Sequence, residues 1–192
     1  MSKKIKSNKC NSKTKKISGI FFERQETSST CRLHAINNAL GRSVISKKKF
    51  FAYCDEFDMK NHCKGSRQFF FIHADDNIIS FILNKLHLHS SYYPPDNPPP
   101  ISENSCDDIV AIIIFDNEHI WSNKKYGNIW YDLDSLSEKP EPIPFRRIFA
   151  RRGFGWIIVR TLPEHLSNDE IQITSNPTNE KPDHTVTNYS PE

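Results

Sequence analysis

The chain has 192 residues, a formal net charge of +3 and 36 % hydrophobic residues; these values suit one folded domain with polar tails and do not indicate a nucleic-acid partner. No apolar run is long enough to cross a bilayer, and the N-terminus shows no secretory signal, so we expect no membrane partner. The five cysteines include no Cys-x-x-Cys pair, which argues against a zinc ribbon and indicates a reduced, intracellular protein of the cytoplasm or nucleus.

The two ends of the chain differ in composition from its middle. Lysine, serine and asparagine dominate residues 1–17, and residues 163–192 are polar and dotted with prolines. Such segments cannot bury enough apolar surface to become ordered, so we expect disordered tails on either side of a folded domain at residues 18–162. The basic first tail leaves open a nuclear address or an electrostatic arm for an acidic partner.

Three segments place apolar residues at helical spacing. We predict helices over residues 31–41, 46–57 and 75–86. Gly41 is a plausible stop for the first helix, and Ser46 can cap the second. A hydroxyl oxygen can accept a hydrogen bond from an unpaired backbone N–H, so the N-cap candidates of the first helix are Ser28, Ser29 and Thr30.

Between the second and third helices the chain reads as irregular. The aromatic run at residues 69–72 is expected in the core or in a partner groove. His62, Cys63 and His73 lie near one another in sequence but do not make a metal site on their own. We predict neither a metal site nor a cofactor.

The second half of the chain reads as β-structure. Prolines at residues 92–100 exclude a helix and a central strand there. The β-branched run at 109–115 predicts a buried central strand, 119–123 and 129–134 predict a hairpin, and 154–160 predicts a last strand. Because helices precede strands, the fold class is α+β, with N-terminal helices packed on an antiparallel sheet.

Cys31 is the candidate nucleophile. It would lie in the first turn of the first helix, where partial positive charge favours a thiolate over a thiol. Gln25 stands six residues upstream, and its side-chain NH₂ could reach a developing oxyanion beside the backbone N–H of Cys31. His34 lies on a similar helix face, but two groups on one short helix leave no cleft for a peptide, so we interpret it as structural.

His119 is the candidate base. It begins one strand of the predicted hairpin and Asp134 ends the other, so antiparallel pairing brings the two residues together. A carboxylate there can accept the imidazole N–H, which frees the other ring nitrogen to take a proton from Cys31. Asp132 shares a strand face with Asp134, so pleat geometry leaves both open as the orienting carboxylate.

Two motifs carry a resemblance to a known family. The first has a glutamine before a cysteine, then a histidine and an asparagine pair: Gln25, Cys31, His34, Asn37, Asn38 and Leu40. The second has a Glu-His pair and then a strand that ends in Asp-Ser: Glu118, His119 and residues 130–135. Over about residues 20–160 the chain resembles the Josephin domain family of deubiquitinating cysteine proteases.

The resemblance implies a papain-like cysteine protease fold. It implies hydrolysis of the isopeptide bond after the C-terminal glycine of ubiquitin, with ubiquitin or polyubiquitin conjugates as partners. It also assigns the roles: Cys31 as nucleophile, His119 as base, Asp134 as the residue that orients the base, and Gln25 as oxyanion support.

The substrate-binding candidates are Trp121, Glu118 and Glu23. The family has a tryptophan directly after its histidine, whereas Ile120 intervenes here, so the Trp121 indole is expected on the opposite face of the strand. Ubiquitin's tail is basic, so acidic residues near the cleft should help to bind it. The candidates for that contact are Glu23, Glu26, Asp116 and Glu118.

Three other functions stay open at this point. The chain could be a module that holds ubiquitin with little turnover, or a papain-like protease or acyltransferase that acts on another polypeptide. The basic tail also leaves room for a nucleic-acid binder, which salt would release from DNA.

Overall fold

The part of the chain described by the computed structural model comprises residues 19–25, 30–66, 76–95, 97–116, 119–150 and 154–161. The predicted tails at 1–17 and 163–192, and the aromatic run at 69–72, lie outside these residues. Within the described part, no helix has the length and apolar character needed to cross a membrane. The cysteines there are all free thiols.

The three predicted helices are confirmed as α1 (Cys31–Leu40), α2 (Lys47–Lys60) and α3 (Asp76–Lys85). Gly41 follows α1 in the left-handed conformation at a φ of 70°, which glycine adopts without the steric penalty of a Cβ. Ser46 caps α2 by accepting a hydrogen bond from the backbone N–H of Lys49 at 3.3 Å. Thr30 occupies the N-cap position of α1, but its side chain makes no capping bond.

The described residues also form one antiparallel sheet of six strands: β1 (Leu88–Tyr93), β2 (Ile109–Phe115), β3 (Ile120–Tyr126), β4 (Ile129–Leu133), β5 (Glu141–Ile143) and β6 (Gly155–Thr161). The order across the sheet is β1-β6-β2-β3-β4-β5, which places β2 in the middle as predicted. β3 and β4 form the predicted hairpin, with Gly127 in its turn at a φ of 60°. The α+β class is therefore confirmed.

The two edge strands and the short helix α4 (Phe145–Ile148) differ from the sequence-based expectation. β1 begins before the proline-rich connector and is largely polar, and β5 contains Pro142. An edge strand pairs on one side only, so it needs neither a continuous apolar run nor a complete set of backbone donors. Hydrophobic periodicity therefore gives little signal for such strands.

Both faces of the sheet are covered by apolar side chains. On one face Ile113 of β2 packs in a cluster with Ile36 of α1 and Ile82 of α3. On the other face Ile114 packs in a cluster with Trp156 of β6. Burying a large aliphatic side chain stabilises a fold by about 1.5–3 kcal/mol. Burial on both faces explains why β2 reads as an unbroken apolar run.

The packing of α1 places its first residue beside one end of the sheet. α1 contacts β3 and β2, and Cys31 belongs to the same apolar cluster as Phe115 and Ile120. Phe115 and Ile120 pair with each other where β2 ends and β3 begins. The N-terminal turn of α1 therefore lies at the end of the sheet that carries His119.

Candidate active site

His119 and Asp134 meet at the open end of the β3–β4 hairpin. His119 directly precedes β3 and Asp134 directly follows β4. Imidazole Nε2 and Asp134 Oδ1 are 2.7 Å apart, with the two side chains 16 % and 30 % exposed. The predicted proximity is confirmed. Asp132 lies two residues earlier and pairs with Asn123 inside the hairpin, so the structure favours Asp134 as the orienting carboxylate.

Cys31 contacts the same imidazole. The Cys31 side chain lies close enough to the His119 ring to help raise the pKa of the imidazole, and Cys31 is buried at 8 % exposure. Because Nε2 bonds to Asp134, Nδ1 is the ring nitrogen that remains for the thiol. Carboxylate, imidazole and sulfur thus form a chain in which a proton can pass between sulfur and ring.

The electrostatics of the site favour a protonated His119. Burial by itself lowers the pKa of an imidazole, but hydrogen bonding and electrostatic interaction with Asp134 and Cys31 outweigh it and raise the pKa of His119 to about 9. At neutral pH the ring is therefore a cation beside the sulfur. Cysteine enzymes use such an imidazolium to stabilise the thiolate that attacks the substrate.

Gln25 is held by the residue that follows Asp134. Its backbone N–H donates to the carbonyl of Ser135 at 3.0 Å, and its Oε1 accepts from the Ser135 hydroxyl at 2.8 Å. Both residues are buried. Fixing Oε1 in this way sets the orientation of the carboxamide and leaves its NH₂ group to serve as a donor. Ser135 was visible in the sequence only as the end of a motif, because one hydroxyl gives no chemical signal until its partner is known.

Backbone hydrogen bonds fix both ends of the His119–Asp134 pair. Asp116 Oδ1 accepts from the backbone N–H of His119 at 2.7 Å, and Asp134 Oδ1 accepts from the backbone N–H of Leu136 at 2.9 Å. Asp116 was a candidate for binding a basic tail. One oxygen of its carboxylate closes the turn that carries His119.

Trp121 packs directly on the imidazole. The two rings are stacked, with centroids 5.6 Å apart and an interplanar angle of 14°, and the indole meets Phe154 edge-on. Ile120 turns to the helix side of the sheet. The expected shift of the indole to the face opposite residue 120 is confirmed, and because His119 and Trp121 lie two apart along the chain, that face is the one that carries the imidazole. At 4 % exposure, Trp121 supports the base and offers little surface to a substrate.

Glu23 is not at a surface that a substrate can reach. It is 2 % exposed, and its Oε2 accepts from His34 Nδ1 at 3.1 Å and from Asn37 Nδ2 at 2.9 Å. This burial argues against the expected contact of Glu23 with a basic substrate tail, and the bond of His34 to a buried carboxylate agrees with the structural interpretation of His34. Glu118 and Glu26, the other acidic candidates, lie outside the described residues.

Among the described residues, no group of three or more His, Cys, Asp or Glu side chains is placed to hold a metal ion.

In comparisons with known proteins, no family model and no curated protein matches this chain. Membership of the Josephin family therefore stays a prediction.

Proposed function

We propose that this chain is a cysteine-type deubiquitinase of the Josephin kind, with a papain-like arrangement of a helix-borne cysteine and a sheet-borne histidine. The observation that carries the proposal is the contact chain from Asp134 through His119 to Cys31. The resemblance of the two motifs supplies ubiquitin as the substrate. The cysteines of the described residues are free thiols, which fits a reducing intracellular setting, where ubiquitin conjugates occur.

In the proposed acylation step, the Cys31 sulfur attacks the carbonyl carbon of the terminal glycine of ubiquitin. The oxygen becomes an oxyanion, which accepts hydrogen bonds from the Cys31 backbone N–H and the Gln25 carboxamide. One such donor contributes on the order of 10²–10³ in rate. His119 then gives its proton to the leaving lysine amine, the C–N bond breaks, and a thioester to Cys31 remains.

Deacylation uses the same groups in reverse. Neutral His119 takes a proton from a water molecule, which attacks the thioester carbonyl. The C–S bond breaks, ubiquitin leaves with a free carboxylate, and the imidazolium is restored. Asp134 holds the ring orientation through both steps, since it bonds Nε2 while Nδ1 exchanges the proton.

A ubiquitin probe with a C-terminal electrophile tests the proposal. We expect the wild type to form a covalent adduct, Cys31→Ala to form none, and His119→Ala to react far more slowly. An adduct with Cys31→Ala equal to that of the wild type would contradict the role of Cys31. Binding of ubiquitin without any adduct in the wild type would favour a ubiquitin-binding module.

Matched fluorogenic substrates separate the remaining alternative. Ubiquitin and its structural relatives, each carrying a C-terminal fluorophore, report which tail the cleft accepts. We expect the highest kcat/KM with ubiquitin. Faster turnover of another polypeptide tail would instead favour a papain-like protease or acyltransferase with a different substrate.

A further inference from the structure

Asn38 joins the three segments that carry the candidate active site. It lies near the end of α1 with no exposed surface. Its Oδ1 accepts from the backbone N–H of Glu23 at 2.7 Å, and its Nδ2 donates to the carbonyl of Glu23 at 3.1 Å and to that of Leu133 at 3.3 Å. One side-chain amide therefore bonds two chain segments that are remote from it in sequence.

Each bonded segment leads directly to a residue of the site. Glu23 is two residues before Gln25, and Leu133 immediately precedes Asp134. Cys31 lies seven residues before Asn38 on the same helix, about 10 Å along its axis. Because a helix is stiff over two turns, fixing Asn38 also fixes the position of the sulfur relative to both segments.

We propose that Asn38 is a positioning residue, which sets the Cys31 sulfur relative to the Gln25 carboxamide and the Asp134–His119 pair. The inference rests on the proposed function, which assigns these groups their catalytic roles. The physical basis is that reacting groups must be aligned closely, and a misplacement of about 1 Å can lower the rate about 10²-fold. Asn38 touches no reacting atom in this account and acts through the backbone of its neighbours.

Asn37 provides a matched control on the same helix. It is also buried, at 1 % exposure, and it bonds the Glu23 carboxylate, the carbonyl of Ile45, and the backbone N–H groups of Val44 and Ile45. Its backbone partners belong to the loop after α1, which carries no residue of the site. Replacing either asparagine by alanine removes a buried amide with several hydrogen bonds, but only Asn38→Ala loosens the link to Leu133.

The test compares Asn38→Ala with Asn37→Ala in the full chain. Hydrolysis of a ubiquitin–fluorophore substrate gives kcat and KM, and urea unfolding gives stability. We expect both variants to lose stability, but Asn38→Ala to lose about 10²-fold in kcat with KM within about 3-fold, and Asn37→Ala to keep kcat within about 3-fold. Equal losses of kcat in the two variants would overturn the proposal.

Alkylation of Cys31 by iodoacetamide gives a readout that needs no ubiquitin. Mass spectrometry of the Cys31 peptide follows the rate at pH 7, and we expect Asn38→Ala to react about 10-fold more slowly than Asn37→Ala. If the wild type fails to hydrolyse ubiquitin, the proposed function fails while this comparison still decides the role of Asn38. Equal alkylation rates would overturn the positioning role.

A second variant covers the case in which Asn38→Ala does not fold. Asn38→Asp is isosteric and keeps the acceptor for the Glu23 N–H, but it loses the donors to the Glu23 and Leu133 carbonyls. We expect the same loss of kcat with unchanged KM. If neither variant folds while Asn37→Ala does, Asn38 acts in folding alone and the proposal is overturned.

Discussion

Two histidine–carboxylate pairs among the described residues differ in what surrounds them. His34 and Glu23 are 3.1 Å apart, with side chains 8 % and 3 % exposed. His119 and Asp134 are 2.7 Å apart, with side chains 16 % and 30 % exposed. The first pair is closed off by Asn37, which occupies the same carboxylate oxygen as His34. The second is open on the Asp134 side and has the Cys31 side chain as a third member.

The comparison separates structural from chemical use of the same two side chains. A buried carboxylate with several donors joins chain segments, and its partner ring contributes one hydrogen bond to that network. A partly exposed pair with a nucleophile on the other ring nitrogen can move a proton. The third partner and the access to solvent, more than the pairing itself, distinguish an active site from a core network.

The largest expected difference between the pairs is in catalysis. His119→Ala removes the base and should lower kcat/KM with a ubiquitin–fluorophore substrate by up to about 10⁴-fold. His34→Ala should leave kcat/KM within about 3-fold but remove a donor from the buried Glu23 carboxylate, at a cost of about 1.5–3 kcal/mol in unfolding free energy.

Enzyme kinetics and urea unfolding on the same preparations check this crossed pattern. A loss of kcat/KM in His34→Ala as large as that in His119→Ala would mean that the first pair also takes part in the chemistry. Comparable losses of stability with no loss of activity in either variant would contradict the assignment of His119 as base.

The sequence predicts the positions of the candidate site residues better than it predicts their surroundings. Spacing placed Cys31 at a helix start and His119 and Asp134 at the open end of a hairpin, since these placements depend on local periodicity and antiparallel pairing. It did not predict that Glu23 is buried, because a glutamate is rarely buried and its partners on α1 are met only in the folded chain. The edge strand β1, with mostly polar residues, carried too little periodicity to be found.

Removing the charge of Asp134 while keeping a hydrogen-bond acceptor for His119 should change the pH profile of kcat/KM. The pKa of His119 is raised to about 9, so we expect wild-type kcat/KM to fall as pH rises through about 9. Asp134→Asn keeps a hydrogen-bond acceptor for the imidazole but removes the carboxylate charge, so the pKa of His119 should fall. We therefore expect the alkaline limb of kcat/KM to move down by about 1–2 pH units. Asp132→Asn, two residues earlier in β4, should leave the alkaline limb in place. Superimposable limbs for wild type and Asp134→Asn would refute the electrostatic role.

The two pairs should also lose their stabilising effect on opposite sides of neutrality. The pKa of His119 is raised from 6.5, so its contribution to stability is full below pH 6.5 and is lost as pH rises through about 9. Burial opposes ionisation of Glu23, but hydrogen bonds from His34, Asn37 and Ser43 lower its pKa below 4.5. Its contribution is therefore full above pH 4.5 and is lost as pH falls through the lowered pKa.

Unfolding free energies measured from about pH 3 to about pH 10 test this difference. The difference in unfolding free energy between wild type and Glu23→Gln should become smaller at acid pH. The difference between wild type and His119→Ala should become smaller at alkaline pH. Gaps that stay constant across the whole range would contradict the pKa shifts of both groups.

The smallest expected effect concerns Trp121, whose indole stacks on the His119 imidazole. Stacked aromatic side chains gain about 0.5–1.5 kcal/mol beyond burial, so Trp121→Leu should lower kcat by about 2- to 10-fold by loosening His119. KM should stay unchanged, because the indole offers little surface to a substrate. Trp130→Leu is a matched control: Trp130 is 2 % exposed and packs on Phe145, away from the imidazole, so it should lower stability without changing kcat. A rise in KM with kcat intact in Trp121→Leu would instead make Trp121 a substrate contact, and the stack on His119 incidental to catalysis.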